Sequence, residues 1–133
     1  MEIGHRVLVA AQPDAWRLFE TMLGRFVDLS AAHTIEDAFE ILGRERIDLI
    51  VATVAFDESR MIEFLQMAKR STSTRHIPFL CSRLLPGVLR DSLMASMRAA
   101  CIQGGAVDFI DLARLPRDAA QDAIRKAVAA CLK

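Results

Sequence analysis

The chain lacks the features that would place it in several common functional classes. It has no charge surplus of either sign, because 17 Lys and Arg balance 17 Asp and Glu over 133 residues. Without a basic surplus it is a poor candidate for binding a nucleic-acid backbone. No apolar run is long enough to span a bilayer, and residues 1–6 do not resemble a signal peptide. We therefore expect a cytoplasmic protein that binds neither nucleic acid nor membrane.

Metal-binding and nucleotide-binding motifs are also absent from the sequence. The three cysteines, Cys81, Cys101 and Cys131, are far apart and fit no zinc-site spacing. The three histidines are equally dispersed, and no GxxxxGK[ST] phosphate loop occurs. We expect buried free thiols in a reducing compartment, with no metal and no cofactor.

Five apolar runs alternate with helical patterns along the whole chain. The runs predict strands over residues 7–10, 26–30, 47–54, 77–81 and 107–112. Such alternation is typical of βαβ units around a parallel sheet, and right-handed crossovers place helices on both faces. The prediction is one α/β domain over residues 1–133, a flavodoxin-like, doubly wound (βα)5 fold with strand order 2-1-3-4-5. No output domain is expected after it.

Local signals set several helix boundaries. Pro13 opens the first helix and Gly24 ends it, while Thr34 and Asp37 form a loose capping box for the second. The fourth major helix is predicted over residues 88–103, which is roughly 24 Å at 1.5 Å per residue.

Four segments, in order and at matching spacing, resemble the response-regulator receiver family of two-component signalling. Residues 7–14 look like the family's first strand and the Pro-Asp after it, and residues 47–53 look like its third strand. Residues 75–78 resemble the lead into the fourth strand, and residues 105–110 resemble the Gly-Ala-x-Asp-Tyr-Leu motif. The resemblance covers nearly the whole chain and implies a phosphorylation pocket at the strand ends.

The residues that perform the family's chemistry are replaced in this chain. Receivers hold Mg²⁺ with an acidic cluster after the first strand, where this chain has Ala10, Ala11 and Gln12. Thr53 stands at the position of the acceptor Asp, and Leu112 at that of the Lys that neutralises phosphoryl oxygens. The resemblance therefore implies a degenerate pseudo-receiver with no catalytic residue and no metal.

Two further positions of the degenerate pocket differ from the family. The Ser or Thr at the end of the fourth strand corresponds to Arg83 by spacing and to Ser82 by residue type. Phe109 stands at the aromatic switch position without its hydroxyl. Both assignments at the fourth strand remain open at the level of sequence.

These observations predict a non-enzymatic domain that acts by protein–protein contact in bacterial signalling. Its partner would be a protein such as a signalling kinase or a regulator. One alternative is a receiver phosphorylated at an atypical residue such as Thr53. A second is a small-ligand sensor that uses the pocket at the strand ends.

The largest departure from the family is expected between the fourth and fifth strands, where the chain is about two helical turns longer. In receivers, the fourth helix, fifth strand and fifth helix form the surface for dimers and partners. Leu85, Val88 and Met94 fall off the buried stripe that includes Leu93 and Met97. We expect Leu85, Val88 and Met94 to form an interface for a homodimer or a partner. The alternative is that they are buried inside the monomer.

Overall fold

A computed structural model describes residues 4–85 and 91–132 of the chain. The strands are β1 (Arg6–Ala10), β2 (Asp28–Ala32), β3 (Leu49–Thr53), β4 (Phe79–Arg83) and β5 (Asp108–Asp111). The α-helices are α1 (Pro13–Leu23), α2 (Ile35–Arg44), α3 (Phe56–Ser59), α4 (Met61–Arg70), α5 (Met94–Gln103) and α6 (Arg117–Cys131). Short 3-10 turns occupy Asp91–Leu93 and Leu112–Arg114.

The strands form one parallel sheet in the order β2-β1-β3-β4-β5, which confirms the predicted flavodoxin-like topology. Helices cover both faces: α2, α4 and α5 contribute to one core layer, and α1 and α6 contribute to the other. All five residues of β3 are buried, as expected for a central strand that is covered on both faces.

The helix boundaries predicted at Pro13, Gly24 and Thr34 agree with the structure. The first helix begins at Pro13 and its last residue is Leu23, directly before Gly24. At the start of α2, the hydroxyl of Thr34 accepts a hydrogen bond from the backbone N–H of Asp37 at 3.0 Å. Among the described residues, no helix has the length and apolar character needed to cross a membrane.

The short element α3 was not predicted, and its backbone is left-handed. Asp57, Glu58 and Ser59 have φ angles of 48°, 57° and 66°. Non-glycine residues seldom adopt this region, although Asp is among those that tolerate it. The carboxylate of Asp57 stabilises the turn, because it accepts hydrogen bonds from the backbone N–H of Ile35 at 2.9 Å and from Arg60 Nη1 at 3.1 Å.

The segment before β5 corrects the prediction of one long helix over residues 88–103. The α-helix begins at Met94, and Asp91–Leu93 form a 3-10 turn. Residues 86–90, which include Val88, lie outside the described part of the chain. The ten residues of α5 extend about 15 Å at 1.5 Å per residue, short of the roughly 24 Å predicted.

The 3-10 turn also changes which apolar residues face the core. Met94 is 7% exposed and belongs to the core, whereas Leu93, predicted to be buried, is 46% exposed. A 3-10 turn advances by 120° per residue and an α-helix by 100°, so the turn at Asp91–Leu93 shifts the positions of Leu93 and Met94 relative to a continuous helix. The interface prediction is therefore wrong for Met94, which is buried inside the monomer.

Candidate functional site

The carboxyl ends of the parallel strands meet at one edge of the sheet, which we call the carboxyl edge. In the register, Thr53 of β3 pairs with Ser82 of β4, and Arg83 of β4 pairs with Asp111 of β5. Most of the predicted pocket residues therefore lie along one edge. The exposure of their side chains and their hydrogen bonds decide what that edge can do.

The positions of the family's acidic cluster offer little to a cation. Ala10 and Ala11 are fully buried and have no polar side-chain atom. Gln12 supplies an amide oxygen, but that oxygen accepts a hydrogen bond from the hydroxyl of Thr53, with 3.0 Å between Oγ1 and Oε1. Mg²⁺ prefers several oxygen ligands, usually including carboxylates. Within residues 4–85 and 91–132, no group of three or more His, Cys, Asp or Glu side chains is placed to hold a metal ion.

Thr53, which the sequence resemblance places at the acceptor position, has a hydroxyl that is poorly suited to attack a phosphoryl donor. Its side chain is 2% exposed, and its Oγ1 donates to Gln12 Oε1. A threonine hydroxyl needs an adjacent general base to become a nucleophile, and a carboxamide is not one. The arrangement satisfies two polar groups and activates neither.

Ser82 and Arg83, the two candidates for the family's Ser or Thr position, have different environments. Ser82 is fully buried beside Thr53, and its Oγ donates to the backbone carbonyl of Ala52 at 3.0 Å. Arg83 is 3% exposed and binds Asp111 through two parallel bonds, Nε–Oδ1 and Nη2–Oδ2, each 2.9 Å long. The position next to Thr53 thus favours the assignment by residue type, Ser82.

Leu112 and Phe109 occupy opposite core layers near the end of β5. Leu112, which replaces the family's Lys, is 2% exposed and belongs to the layer formed with α1 and α6. Phe109 is 3% exposed and belongs to the layer formed with α5, opposite Cys81 of β4. Both side chains fill apolar space and neither brings a charge to the edge.

The carboxylates Asp57, Asp108 and Asp111 do not come together as a substitute acceptor site, and Asp108 lies at the amino end of β5. Asp57 is held at the amino end of α2 by the N–H of Ile35. Asp108 forms an ion pair with Arg98 at 2.9 Å, and Asp111 pairs with Arg83. Each carboxylate therefore has its own partner at a separate place.

Burial limits the reactivity of the thiols, including Cys101, whose pKa is lowered by the hydrogen bond with Cys81. Cys81 and Cys101 are fully buried, as predicted, and Cys131 is half-buried. A hydrogen bond with Cys101 and burial in the core both raise the pKa of the Cys81 thiol. Burial also raises the pKa of Cys131. Because the thiolate is the reactive form, these shifts suppress the reactivity of both thiols.

Two participants in the carboxyl edge were missed by sequence reasoning. His33 follows β2, and its Nδ1 donates to the carbonyl of Ala11 at 2.7 Å. Asp111 is the last residue of β5, and it is the partner of Arg83. The sequence signal that could have identified them is their position, since each residue ends or follows a strand of the predicted parallel sheet.

A small apolar groove of about 190 Å³ lies on the α1 and α6 side of the sheet. Its lining includes Leu18 of α1, Leu84 and Leu85 after β4, and Leu112 and Leu115 before α6. Leu85 is half-buried along this groove, and its predicted role at an interface stays a prediction.

Comparisons with known proteins find matches to the fold of this chain but none to its sequence. No family model matches the chain, and no curated protein matches it. Solved structures do match. The phosphorylated cyanobacterial phytochrome response regulator RcpA has a TM-score of 0.77 at 13% identity, covering 98% of this chain and 96% of that one.

Two further solved structures match over nearly the whole chain. The receiver domain of a signal transduction histidine kinase from Syntrophus aciditrophicus has a TM-score of 0.74 at 20% identity, covering 98% of this chain and 90% of that one. An orphan response regulator of H. pylori has a TM-score of 0.70 at 18% identity, covering 97% of each chain. The chain therefore has the fold of response-regulator receiver domains.

Proposed function

We propose that residues 1–133 form a single pseudo-receiver domain of bacterial two-component signalling, which acts in the cytoplasm by binding other proteins and accepts no phosphoryl group. The observation that carries this proposal is the hydrogen bond between Thr53 and Gln12. It joins the acceptor position to the metal-ligand position through two neutral side chains.

Phosphoryl transfer depends on positioning and on neutralising charge around the transferred group. At the acceptor and metal-ligand positions this chain has Ala10, Ala11, Gln12 and Thr53, none of which is ionised. The cation nearest in the strand register, Arg83, is engaged by the carboxylate of Asp111. The proposal is supported by the lack of a carboxylate at these four positions, either to hold Mg²⁺ or to accept the phosphoryl group.

The direct test is incubation with acetyl phosphate and Mg²⁺, followed by intact-mass measurement. We expect no phosphate-sized gain in mass, while a phosphorylatable receiver treated in parallel shows one. A gain that disappears in Thr53→Ala would replace the proposal with the alternative of phosphorylation at Thr53. A gain that survives in Thr53→Ala would locate an acceptor elsewhere and also contradict the proposal.

The binding surface in this proposal is formed by α5, β5 and α6. Two large apolar side chains are exposed at its α5–β5 corner: Ile102 is 46% exposed and Val107 is 56% exposed. Exposed apolar groups that lie close together often mark contacts between proteins. The proposed occupant is a signalling kinase or a regulator, and a second copy of the chain is the competing occupant.

Ile102→Glu tests this surface, and Phe26→Glu is its matched control, because Phe26 is 45% exposed between α1 and β2. We expect a protein captured from native lysate by the parent and by Phe26→Glu to be lost with Ile102→Glu. Solution mass identifies the competing occupant, since a dimer that Ile102→Glu dissociates would mean self-association. Equal capture by all three proteins, with a monomeric mass, would remove α5–β5–α6 as the binding surface.

A further inference from the structure

Side-chain hydrogen bonds cross the whole carboxyl edge of the sheet. Each pair of neighbouring strands is joined by one such bond at or just beyond the strand ends. From β2 to β5 the bonds are His33 Nδ1 to Ala11 O, Thr53 Oγ1 to Gln12 Oε1, Ser82 Oγ to Ala52 O, and Arg83 to Asp111. We call this row of four the carboxyl-edge ties.

The last of these ties differs from the other three because it is charged and bidentate. The Arg83 side chain is 3% exposed and the Asp111 side chain 17%. The planar guanidinium meets the carboxylate with two bonds of 2.9 Å, which is the bidentate geometry that compensates best for lost hydration. Such a pair constrains both distance and angle between the strands that carry it.

The tie acts on an outermost strand of the sheet, on the side that pairs with β4. β5 has four residues and lies at the edge of the sheet, so β4 is its sheet neighbour in the described structure. The other end of β5 is joined to α5 by the Arg98–Asp108 ion pair at 2.9 Å. Fixing Asp111 therefore fixes the strand to which α5 is attached.

We propose that the carboxyl-edge ties form a lock that holds β5 and α5 in one arrangement, with Arg83 and Asp111 as its positioning residues. The domain then presents its α5–β5–α6 surface permanently, without an activating signal. This inference rests on the proposed function in one respect, namely that this surface is the one that binds. The mechanical claim concerns the chain alone.

The test is amide hydrogen exchange of the isolated protein, resolved by segment. The main variant is the double substitution Arg83→Met with Asp111→Leu, because it removes the pair without leaving an unpaired buried charge. The matched control is Arg44→Met with Glu40→Leu, which removes an exposed 3.2 Å ion pair on α2. The single variant Asp111→Asn keeps the shape of the side chain and serves if the double variant does not fold.

We expect exchange in β5 and α5 to quicken about tenfold or more in both variants, with β1 and α2 changing less than about twofold. The control pair should leave all four elements unchanged. A purely structural role would quicken every core amide by one common factor. That uniform result, or parental rates in β5 and α5, would overturn the lock.

The outcome is separable from the proposed function, because the exchange measurement uses neither a phosphodonor nor a partner. Parental exchange rates would remove the lock and leave the pseudo-receiver proposal in place. A phosphate-sized mass gain would remove the pseudo-receiver proposal and leave the exchange result unchanged.

Discussion

Charged side chains are arranged differently at the amino edge of the sheet, where the strands begin, and at the carboxyl edge, where they end. At the amino edge, Arg6, Glu45 and Asp48 form a loose network in which the Arg6–Glu45 ion pair measures 3.8 Å and the Arg6 side chain is 41% exposed. At the carboxyl edge, the Arg83–Asp111 pair is enclosed and bidentate. Water screens the first network, whereas the second depends on its own geometry.

This comparison shows where the chain has an ion pair that is shielded from solvent. A working receiver needs charge at the carboxyl edge for Mg²⁺ and phosphate, and this chain has neutral groups at those positions. Its one enclosed ion pair within the described residues of that edge lies between β4 and β5, where it joins strands. Charge at this edge therefore serves structure here.

The largest expected effect is that of Asp111→Ala. It leaves the buried guanidinium of Arg83 without its carboxylate, which typically costs about 3–5 kcal/mol in the free energy of unfolding. Urea unfolding measures the change. The Arg83→Met/Asp111→Leu double variant should lose clearly less free energy of unfolding than Asp111→Ala. An equal loss in the two variants would mean that packing, not charge, dominates the site.

The core next to this edge gives a second prediction of similar kind. Met94→Ala removes a side chain that is 7% exposed and should cost about 2–4 kcal/mol. Leu93→Ala, one residue earlier and 46% exposed, should change the free energy of unfolding by about 0.5 kcal/mol or less. Thermal or urea unfolding of the two variants checks that Met94 and not Leu93 faces the core; a larger loss of stability for Leu93→Ala would contradict this.

Thr53→Val tests the neutral half of the carboxyl edge. The substitution keeps the shape of the side chain and removes the hydroxyl that donates to Gln12 Oε1. We expect a loss of about 0.5–1.5 kcal/mol, since Gln12 is half-buried and part of its hydrogen bonding passes to water. A loss as large as that of Asp111→Ala would contradict the distinction between the two halves.

Glu45→Gln should have the smallest effect, because its network at the amino edge is open to solvent. The hydrogen bond from Ser30 and, to a lesser extent, the charge of Arg6 hold the pKa of Glu45 below its usual 4.5. A lowered pKa in the folded state gives stability that is present above about pH 4.5 and lost as pH falls through the folded pKa. We expect a difference between parent and Glu45→Gln of about 0.2–1 kcal/mol at neutral pH, vanishing in acid and in high salt. A difference that persists at low pH would assign the effect to shape.

The sheet was predictable because its signals are dense and local. Apolar runs such as residues 47–54 specify strands that are buried on both faces, and the capping of α2 by Thr34 follows from residue type. Two features had no such signal. The left-handed turn at Asp57–Ser59 uses residues that do not normally mark a positive φ, and the 3-10 turn before Met94 shifted the helical phase.

The residues of the candidate site could be predicted from the sequence, but the hydrogen bonds and ion pairs between them could not. The loss of charge at Ala10, Gln12 and Thr53 is visible in the sequence once the parallel sheet is assumed. The pairing of Arg83 with Asp111 is not visible, because it depends on the register between β4 and β5. The side-chain bonds between neighbouring strands are visible only in the folded structure.

The central claim, that the degenerate pocket does not respond to a phosphoryl group, is tested most directly by an amide NMR spectrum. Beryllofluoride with Mg²⁺ mimics the phosphoryl group on the Asp of a receiver. The account predicts that adding it leaves the resonances of Thr53, Ser82 and Leu112 unchanged. Saturable shifts centred on these residues would show that the pocket still binds the mimic, and would contradict the account.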